Sequence, residues 1–287
     1  DAGLIWIGPS PEAIIKMGDK MTARITMKAA GVPVIPGVEV DGGLEQVLAA
    51  APSIGYPLLL KATSGGGGKG MRAVHDEADL ESEAKAAMRE ALNAFGDDRI
   101  YVERLLTGSR HIEIQVLADK YGRTIHLGER ECSIQRRHQK VFEESPSVAL
   151  NAELREMMGQ AACAAAEAVN YEGAGTVEFL VTPNGEFFFL EMNTRIQVEH
   201  PVTEMVTGVD LVREQLRIAG GEAMSCGPLK IRGHAIEVRL YAEDPSNNFL
   251  PAIGKLKRFV GPTGPGVRLD TGVREGDSVT PDYDPML

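Results

Sequence analysis

The dipeptide Asn184-Gly185 lies between two apolar runs, Thr176–Val181 and Glu186–Met192. Both residues tolerate the positive φ of a tight turn, which makes this pair the strongest short-range signal for a β-hairpin. With Asn184 and Gly185 as a two-residue loop, Pro183 faces Glu186 and Glu178 faces Glu191. Phe179, Phe187, Phe188 and Phe189 surround these positions, so the hairpin belongs to an antiparallel sheet with a core behind it. Two carboxylates are then held opposite one another, about 5 Å apart at Cβ, where like charges destabilise. Either one is protonated or a cation bridges them. Asn193 falls on the same face, two residues past Glu191. Two carboxylates and an amide oxygen suit Mg²⁺ or Mn²⁺, which also take phosphate oxygens from a nucleotide. The set contains neither His nor Cys, which disfavours zinc. The plain alternative is a slipped register with solvent-facing glutamates, and the four phenylalanines weigh against it.

A glycine run, Gly65-Gly66-Gly67-Gly68-Lys69-Gly70, follows the apolar strand Tyr56–Ala62. Backbone N–H groups in such a loop approach phosphate oxygens with no Cβ in the way. Lys69 is followed by Gly70, not Ser or Thr, so the run is no Walker A motif. Gly65, Gly67 and Gly70 satisfy GxGxxG, but a dinucleotide fingerprint needs a helix next, and Met71–His75 reads as a strand. The loop therefore tips a hairpin, as a flap over phosphates would. Lys61 and Lys69 flank it. Lys61 stands in an apolar strand, where an amine without a partner is costly to bury.

Downstream, Arg130–Lys140 carries four Arg/Lys and one His in eleven residues. It reads as an anion-binding segment or as a solvated charged loop. In Asn193-Thr194-Arg195-Ile196-Gln197-Val198-Glu199-His200-Pro201 the polar residues Arg195, Gln197 and Glu199 alternate, and in an extended segment they share a face. Arg beside Glu near a metal fits an oxyanion stabiliser with a general base, and equally a structural ion pair.

Along the chain, helices (11–30, 44–51, 79–95, 151–169, 210–219) alternate with strands joined by tight turns. These include a buried strand at residues 3–8 and strands at 100–105, 111–117 and 123–127. That order implies α+β subdomains with antiparallel sheets. The 287 residues carry 30 Lys/Arg against 41 Asp/Glu, a net charge of −11. Such a surface disfavours non-specific binding to nucleic acid or an anionic membrane, and it repels anionic substrates unless positive charge is concentrated locally. Three cysteines without metal-ligand spacing point to a reducing compartment. No run reaches the ~18 apolar residues of a membrane span. The chain opens at Asp1, without a signal pattern, and stops at Leu287, which reads as a fragment of a longer protein.

Several segments together resemble biotin carboxylase, an ATP-grasp fold with a glycine-loop lid subdomain and an antiparallel-sheet core. They are Met17–Lys20, Gly65–Met71, Tyr101-Val102-Glu103, Arg110–Gln115, Gln135–Lys140, Glu191–Pro201, Gly233-His234-Ala235 and Ala242–Pro245. The resemblance covers essentially the whole chain. It implies three regions: 1–32, the last strand of a preceding nucleotide-fold domain with linker helices; 33–105, the lid; and 106–287, the core with the start of a C-terminal domain.

For the site, the resemblance implies that Lys20, Lys61 and Gly65–Gly70 (Gly65, Gly66, Gly67 and Gly68 foremost), with Met71 beside them, hold the phosphates of ATP. Glu103 accepts from the adenine amino group, and the backbone near Arg104 and Leu106 reads the base; Arg104 stands where some relatives have lysine. His111, Glu113, Gln135, His138 and Leu180 line the nucleotide path, and Glu178, Glu191 and Asn193 bind Mg²⁺. Lys140, Arg195, Gln197 and Val198 hold bicarbonate, Glu199 deprotonates it, and Arg195 with Arg239 steadies the biotin ureido oxygen. The implied partners are a biotin carboxyl carrier domain, a carboxyltransferase and a second copy of the chain. The implied compartment is the cytoplasm or the mitochondrial matrix. A carbamoyl-phosphate-synthase-like ligase and an ATP-binding fragment without turnover are the alternatives.

Overall fold

The computed structural model describes residues 3–40, 43–62, 71–137, 139–227 and 229–287. Residues 3–8 run as irregular chain, not as the expected buried strand, with Leu4, Ile5 and Trp6 exposed. An apolar run alone does not make a strand; it needs a neighbour to pair with, and among the described residues this one has none. The helical region then divides into α1 (Pro11–Gly18) and α2 (Lys20–Ala29). Asp19 makes the break. Its backbone is extended, and its carboxylate accepts the Thr22 N–H at 2.7 Å, capping α2.

A smaller sheet follows, built from β1 (Gly37–Val40), β2 (Leu58–Ala62), β3 (Met71–Val74) and β4 (Ile100–Arg104) in the antiparallel order β1-β4-β2-β3. Helices α3 (Leu44–Ile54) and α4 (Glu77–Phe95) cover it. Their Val47, Leu80, Ala84 and Ala87 bury Leu58, Leu60, Val74, Ile100 and Val102. In β2 burial alternates with the strand period, so Lys61 and its neighbours take opposite faces.

The larger sheet has strands β5 (Arg110–Ala118), β6 (Thr124–Arg136), β7 (Gln139–Ser145), β8 (Gly173–Val181), β9 (Phe187–Asn193) and β10 (Ala235–Val238), in the order β10-β7-β6-β5-β8-β9. Helix α5 (Ala152–Glu167), capped by Asn151, packs Met158, Ala162, Ala165 and Ala166 onto one face, which is formed by Ile112, Ile114, Val116, Val177 and Phe179. Short helices α6 (His200–Thr207) and α7 (Leu211–Ala219) follow β9. Period-two alternation sends His111, Glu113, Gln115, Thr176 and Glu178 to the opposite, polar face.

Two local expectations change. Strand β6 extends far past residue 127, and the basic segment 130–140 is the β6–β7 hairpin, turning at Arg137 with φ 51°. Its charges read as a loop because each lies against a carboxylate or amide from a distant part of the chain. The β8–β9 turn is also longer than two residues. The Thr182 N–H donates to Glu186 O at 2.8 Å, leaving Pro183-Asn184-Gly185 as the loop. Val181 then pairs with Phe187 and Phe179 with Phe189, and a bulge at Leu190 restores Glu178 opposite Glu191. Among the described residues no helix is long and apolar enough to cross a membrane.

Candidate active site

A row of charged residues crosses the polar face of the larger sheet. Arg130 on β6 pairs with Glu113 on β5, Glu113 with Glu178 on β8, and Glu178 with Glu191 on β9. Arg130 is fully buried and every arm of its guanidinium is used. Nε bonds Glu113 Oε1 at 2.5 Å; Nη1 bonds Gln115 Oε1 at 2.6 Å and Thr203 Oγ1 at 3.0 Å; Nη2 bonds Thr176 Oγ1 at 3.0 Å and Gln197 Oε1 at 3.1 Å. A planar five-donor fork suits this position and a lysine does not. Sequence reasoning did not single out Arg130. The alternation in His111-Ile112-Glu113-Ile114-Gln115 was the available signal, since it announces a polar sheet face that needs a counter-ion.

Lys140 on β7 is the second cation. Its Nζ lies 2.8 Å from Glu178 Oε1, 2.8 Å from Glu199 Oε1 and within hydrogen-bonding distance of Glu113 Oε2. Burial works against the ammonium, but Glu113, Glu178 and Glu199 raise its pKa well above the ordinary lysine value. Burial likewise opposes ionisation of Glu178, yet His111, whose Nε2 is 2.8 Å from Oε2, and Lys140 hold that carboxyl down at about 2. For Glu113, burial is again outweighed, here by Arg130 and Lys140, and its pKa is lowered.

The third cation is Arg239, just past β10. Its Nη2 reaches Glu143 Oε1 at 2.6 Å and Glu199 Oε2 at 3.0 Å. Glu199, the N-cap of α6, is therefore buried between Lys140 and Arg239. The segment leading to it is irregular and turned, not extended as expected. Only Gln197 and Glu199 point inward, and Gln197 Nε2 donates to Glu178 Oε1 at 3.1 Å. Arg195 and Val198 are exposed on the rim, with Arg195 Nη2 3.3 Å from Asn193 Oδ1.

The other described residues of the expected set divide between the larger sheet, the smaller sheet with the chain that follows it, and α2. Gln135 Nε2 is 2.9 Å from His111 Nδ1, and Leu180 pairs with His111 across β5 and β8. On the smaller sheet, Lys61 Nζ forms an ion pair with buried Glu103 Oε1, and Arg24 Nη1 approaches Glu103 Oε2 at 3.6 Å. Met71 pairs with Lys61. Arg104 and Leu106 are half-buried, with the Arg104 N–H donating to Pro36 O at 2.9 Å, and Lys20 is exposed in the first turn of α2. Gly65, Gly66, Gly67, Gly68 and His138 lie outside the described residues. The basic hairpin is not a free anion trap: Arg136 binds Glu243 at 2.5 and 2.9 Å and stacks over Phe249, and Arg137 binds Asn248.

Glu191 makes no hydrogen bond or ion pair among the described residues. Desolvation on its sheet side and then the charge of Glu178 raise its pKa, although the side chain stays open to solvent. That unpaired carboxylate opposite Glu178 fits a hard divalent cation of the Mg²⁺ type, although here the Asn193 Nδ2 donates to Glu178 Oε1 at 2.8 Å and its Oδ1 accepts from Arg195. Two other groupings among the described residues, His111 with Glu113 and Glu178, and Glu113 with Cys132 and Glu199, each have ligand atoms within 4.8 Å of one another. In this structure Lys140 is the counter-ion of Glu178.

Residues 19–226 match the family described as Carbamoyl-phosphate synthase L chain, ATP binding domain, and residues 237–287 match the Biotin carboxylase C-terminal domain. The Biotin carboxylase of Nostoc sp. is 54% identical over 100% of this chain. The chain belongs to the biotin carboxylase family. It spans 65% of that relative's own length. Similar relatives also include components of a methylcrotonoyl-CoA carboxylase from Dictyostelium discoideum and of a pyruvate carboxylase from Methanothermobacter thermautotrophicus, so members of the family occur as parts of larger carboxylases. Two solved structures each match with a TM-score of 0.87. One is the biotin carboxylase domain dimer of Hydrogenobacter thermophilus 2-oxoglutarate carboxylase in complex with MgADP, ADP and bicarbonate, 46% identical over 99% of this chain and 64% of that one. The other is biotin carboxylase from Campylobacter jejuni in a β-γ-ATP complex, 48% identical over the same shares. The two sheets are thus those of an ATP-grasp fold, as the resemblance implied, and their antiparallel α+β build is the one read from the order of elements.

Proposed function

We propose that the chain carries the ATP-dependent carboxylation site for carrier-bound biotin, using bicarbonate and releasing ADP and phosphate. The single observation behind this reading is the buried carboxylate of Glu199 held between Lys140 and Arg239. Lys140 connects it to Glu178, which Gln197 also bonds.

Glu199 takes the proton of bicarbonate, whose oxygen then attacks the γ-phosphate to give carboxyphosphate and ADP. Lys140 is the cation that steadies bicarbonate in reach of Glu199, with Gln197, Val198 and Arg195 completing the pocket. Lys20, Lys61, Met71 and the Gly65–Gly68 segment hold the phosphates; Glu103, Arg104 and Leu106 read the base; His111, Glu113, Gln135, His138 and Leu180 line the path between. Glu178, Glu191 and Asn193 would hold Mg²⁺, which when bound neutralises phosphate charge. Arg239 and Arg195 stabilise negative charge on the ureido oxygen of biotin as carboxyl transfer proceeds. A carrier domain, a carboxyltransferase and a second copy complete the enzyme, in the cytoplasm or a mitochondrial matrix. Residues 33–105 would act as the lid over a core formed by 106–287.

The test is bicarbonate-dependent ADP release with and without free biotin, in the chain and in Glu199→Gln. Biotin stimulation that Glu199→Gln abolishes supports the proposal. Stimulation by ammonia instead identifies a carbamoyl-phosphate-type ligase, and ATP binding with no bicarbonate-dependent release identifies a binding module.

A further inference from the structure

Two glutamates behind the site have no assigned role. Glu143 on β7 and Glu237 on β10 sit directly opposite one another in the antiparallel register. Their Cβ atoms are therefore about 5 Å apart on one face of the sheet. Glu143 is fully buried and Glu237 half-buried. Each has a buried Oε2 with no hydrogen-bond partner among the described residues. Two ionised, orphaned carboxylate oxygens facing one another in a desolvated place are strongly unfavourable.

We propose that Glu143 and Glu237 share one proton between their Oε2 atoms, and that this acid pair holds Arg239 against Glu199. One proton removes both orphans at once, giving one carboxyl a donor and the other an acceptor. The remaining oxygen of Glu143 stays free for Arg239, whose Nε and Nη2 lie at 2.7 and 2.6 Å from it. Arg239 thus has one carboxylate behind it and Glu199 in front, and its guanidinium is fixed in the plane they define.

The surroundings favour this assignment. Arg239 is the only cation in contact with Glu143 among the described residues. Lys140, also on β7, is engaged by Glu113, Glu178 and Glu199, and Arg130 of β6 by Glu113. From α6, Glu199 adds further negative charge, and the ring of His200 turns to Gln197 O instead. Glu144, the next residue on β7, pairs with His234. Glu113 and Glu199 add to the negative field at Glu143, and Tyr241 also bonds Arg239. Consistent with a retained proton, burial and then Glu143 push the Glu237 carboxyl up to about 8, and burial above all raises Glu143 too.

The positioning of Arg239 rests on the proposed function; the shared proton does not. Carboxyl ¹³C NMR of the intact, glutamate-labelled chain tests the proton. One glutamate signal titrating near neutral pH or above, lost in both Glu143→Gln and Glu237→Gln and unmoved by Mg²⁺ or a chelator, is the expected result. Titration of every glutamate in the ordinary carboxylate range overturns the pair, and a shift on metal removal replaces the proton by a cation. Thermal melting gives a second readout. A carboxyl whose folded pKa is raised stabilises fully below its unfolded value and loses that stabilisation as pH rises through the folded one. The wild-type chain should lose stability across that window, and Glu237→Gln, whose amide supplies a permanent N–H, should show a flatter profile. Equal slopes contradict the proposal. For positioning, Glu237→Ala should lower biotin-dependent ADP release by up to about a hundredfold with ATP affinity unchanged, and Glu237→Gln should restore most of it. An unaffected rate sinks the positioning role alone. Failure of the Glu199→Gln assay would remove the proposed function and leave the carboxyl signal intact.

Discussion

Glu178 faces Glu191 across β8 and β9, although nearer the turn the same strands are one residue out of step, with Phe179 opposite Phe189. The bulge at Leu190 is the element that sets the two carboxylates face to face. Burial and then the facing charge of Glu178 raise the Glu191 carboxyl despite Lys20, His111 and Lys140.

Glu191→Gln should therefore weaken divalent-cation binding. A unit charge at 4 Å from a cation near a protein surface is worth up to about 4 kcal/mol, and the exposure of Glu191 reduces this. The expected result is a roughly tenfold or larger rise in the Mn²⁺ concentration needed for half-saturation in the presence of ADP, about 1.4 kcal/mol. Calorimetric titration measures it; an unchanged midpoint would place the metal elsewhere.

Arg130→Met should be among the most damaging substitutions in the larger sheet. It strips Glu113 of its buried partner and leaves Gln115, Thr176, Thr203 and Gln197 short of a donor. Loss of one partner of a buried ion pair costs about 3–5 kcal/mol. Arg130→Lys should recover only part of this. Urea unfolding gives the value, and a loss below about 1 kcal/mol would mean the pair is no more than a surface contact.

Acid stability should depend on Glu178. Its carboxyl is held at about 2 against an ordinary value of 4.5, so its stabilisation is full above 4.5 and is lost as pH falls through 2. The group is buried, so solvent screening discounts little. Glu178→Gln should remove on the order of 3 kcal/mol from the acid-side decline in metal-free protein. Melting temperature against pH checks this, and a parallel curve for the mutant would refute it.

Gly159→Ala sets two effects against each other inside α5. Alanine gains about 1 kcal/mol in helix propensity. Its Cβ would, however, meet the His126 ring at 2.5 Å, and overpacking costs about 1–3 kcal/mol. Steric conflict should win, giving a lower melting temperature. A rise would show that His126 turns aside freely.

The parts of the fold visible in sequence were those written locally. Asn151 marked the start of α5 and the phenylalanines marked β8 and β9, because caps and strand periodicity act over a few residues. The pairing of Glu178 with Glu191 was anticipated through a turn one residue too short, and the unforeseen bulge offset the error. The length of β6 was missed because the partners of Arg136 and Arg137 come from Glu243 and Asn248, about a hundred positions away. Arg130 was missed for a similar reason: a buried guanidinium reads in sequence like any surface arginine until the strands that surround it are aligned. The strand expected at residues 3–8 failed for want of a neighbour among the described residues.

Lys61, Lys140 and Arg239 each already hold a carboxylate. The pocket therefore behaves as an ion exchanger and not as a field that draws anions in. At Lys61, Lys140 or Arg239 an incoming phosphate or bicarbonate gains the cation by displacing a tethered glutamate, whereas exposed Lys20 and Arg195 hold no carboxylate among the described residues. Simple halides, with a single charge and no fixed set of oxygens, compete poorly against a carboxylate already in place. Selectivity then resides in how well an anion replaces the oxygens it evicts, and a protein with a strongly acidic surface can take anionic substrates without first reversing its overall charge.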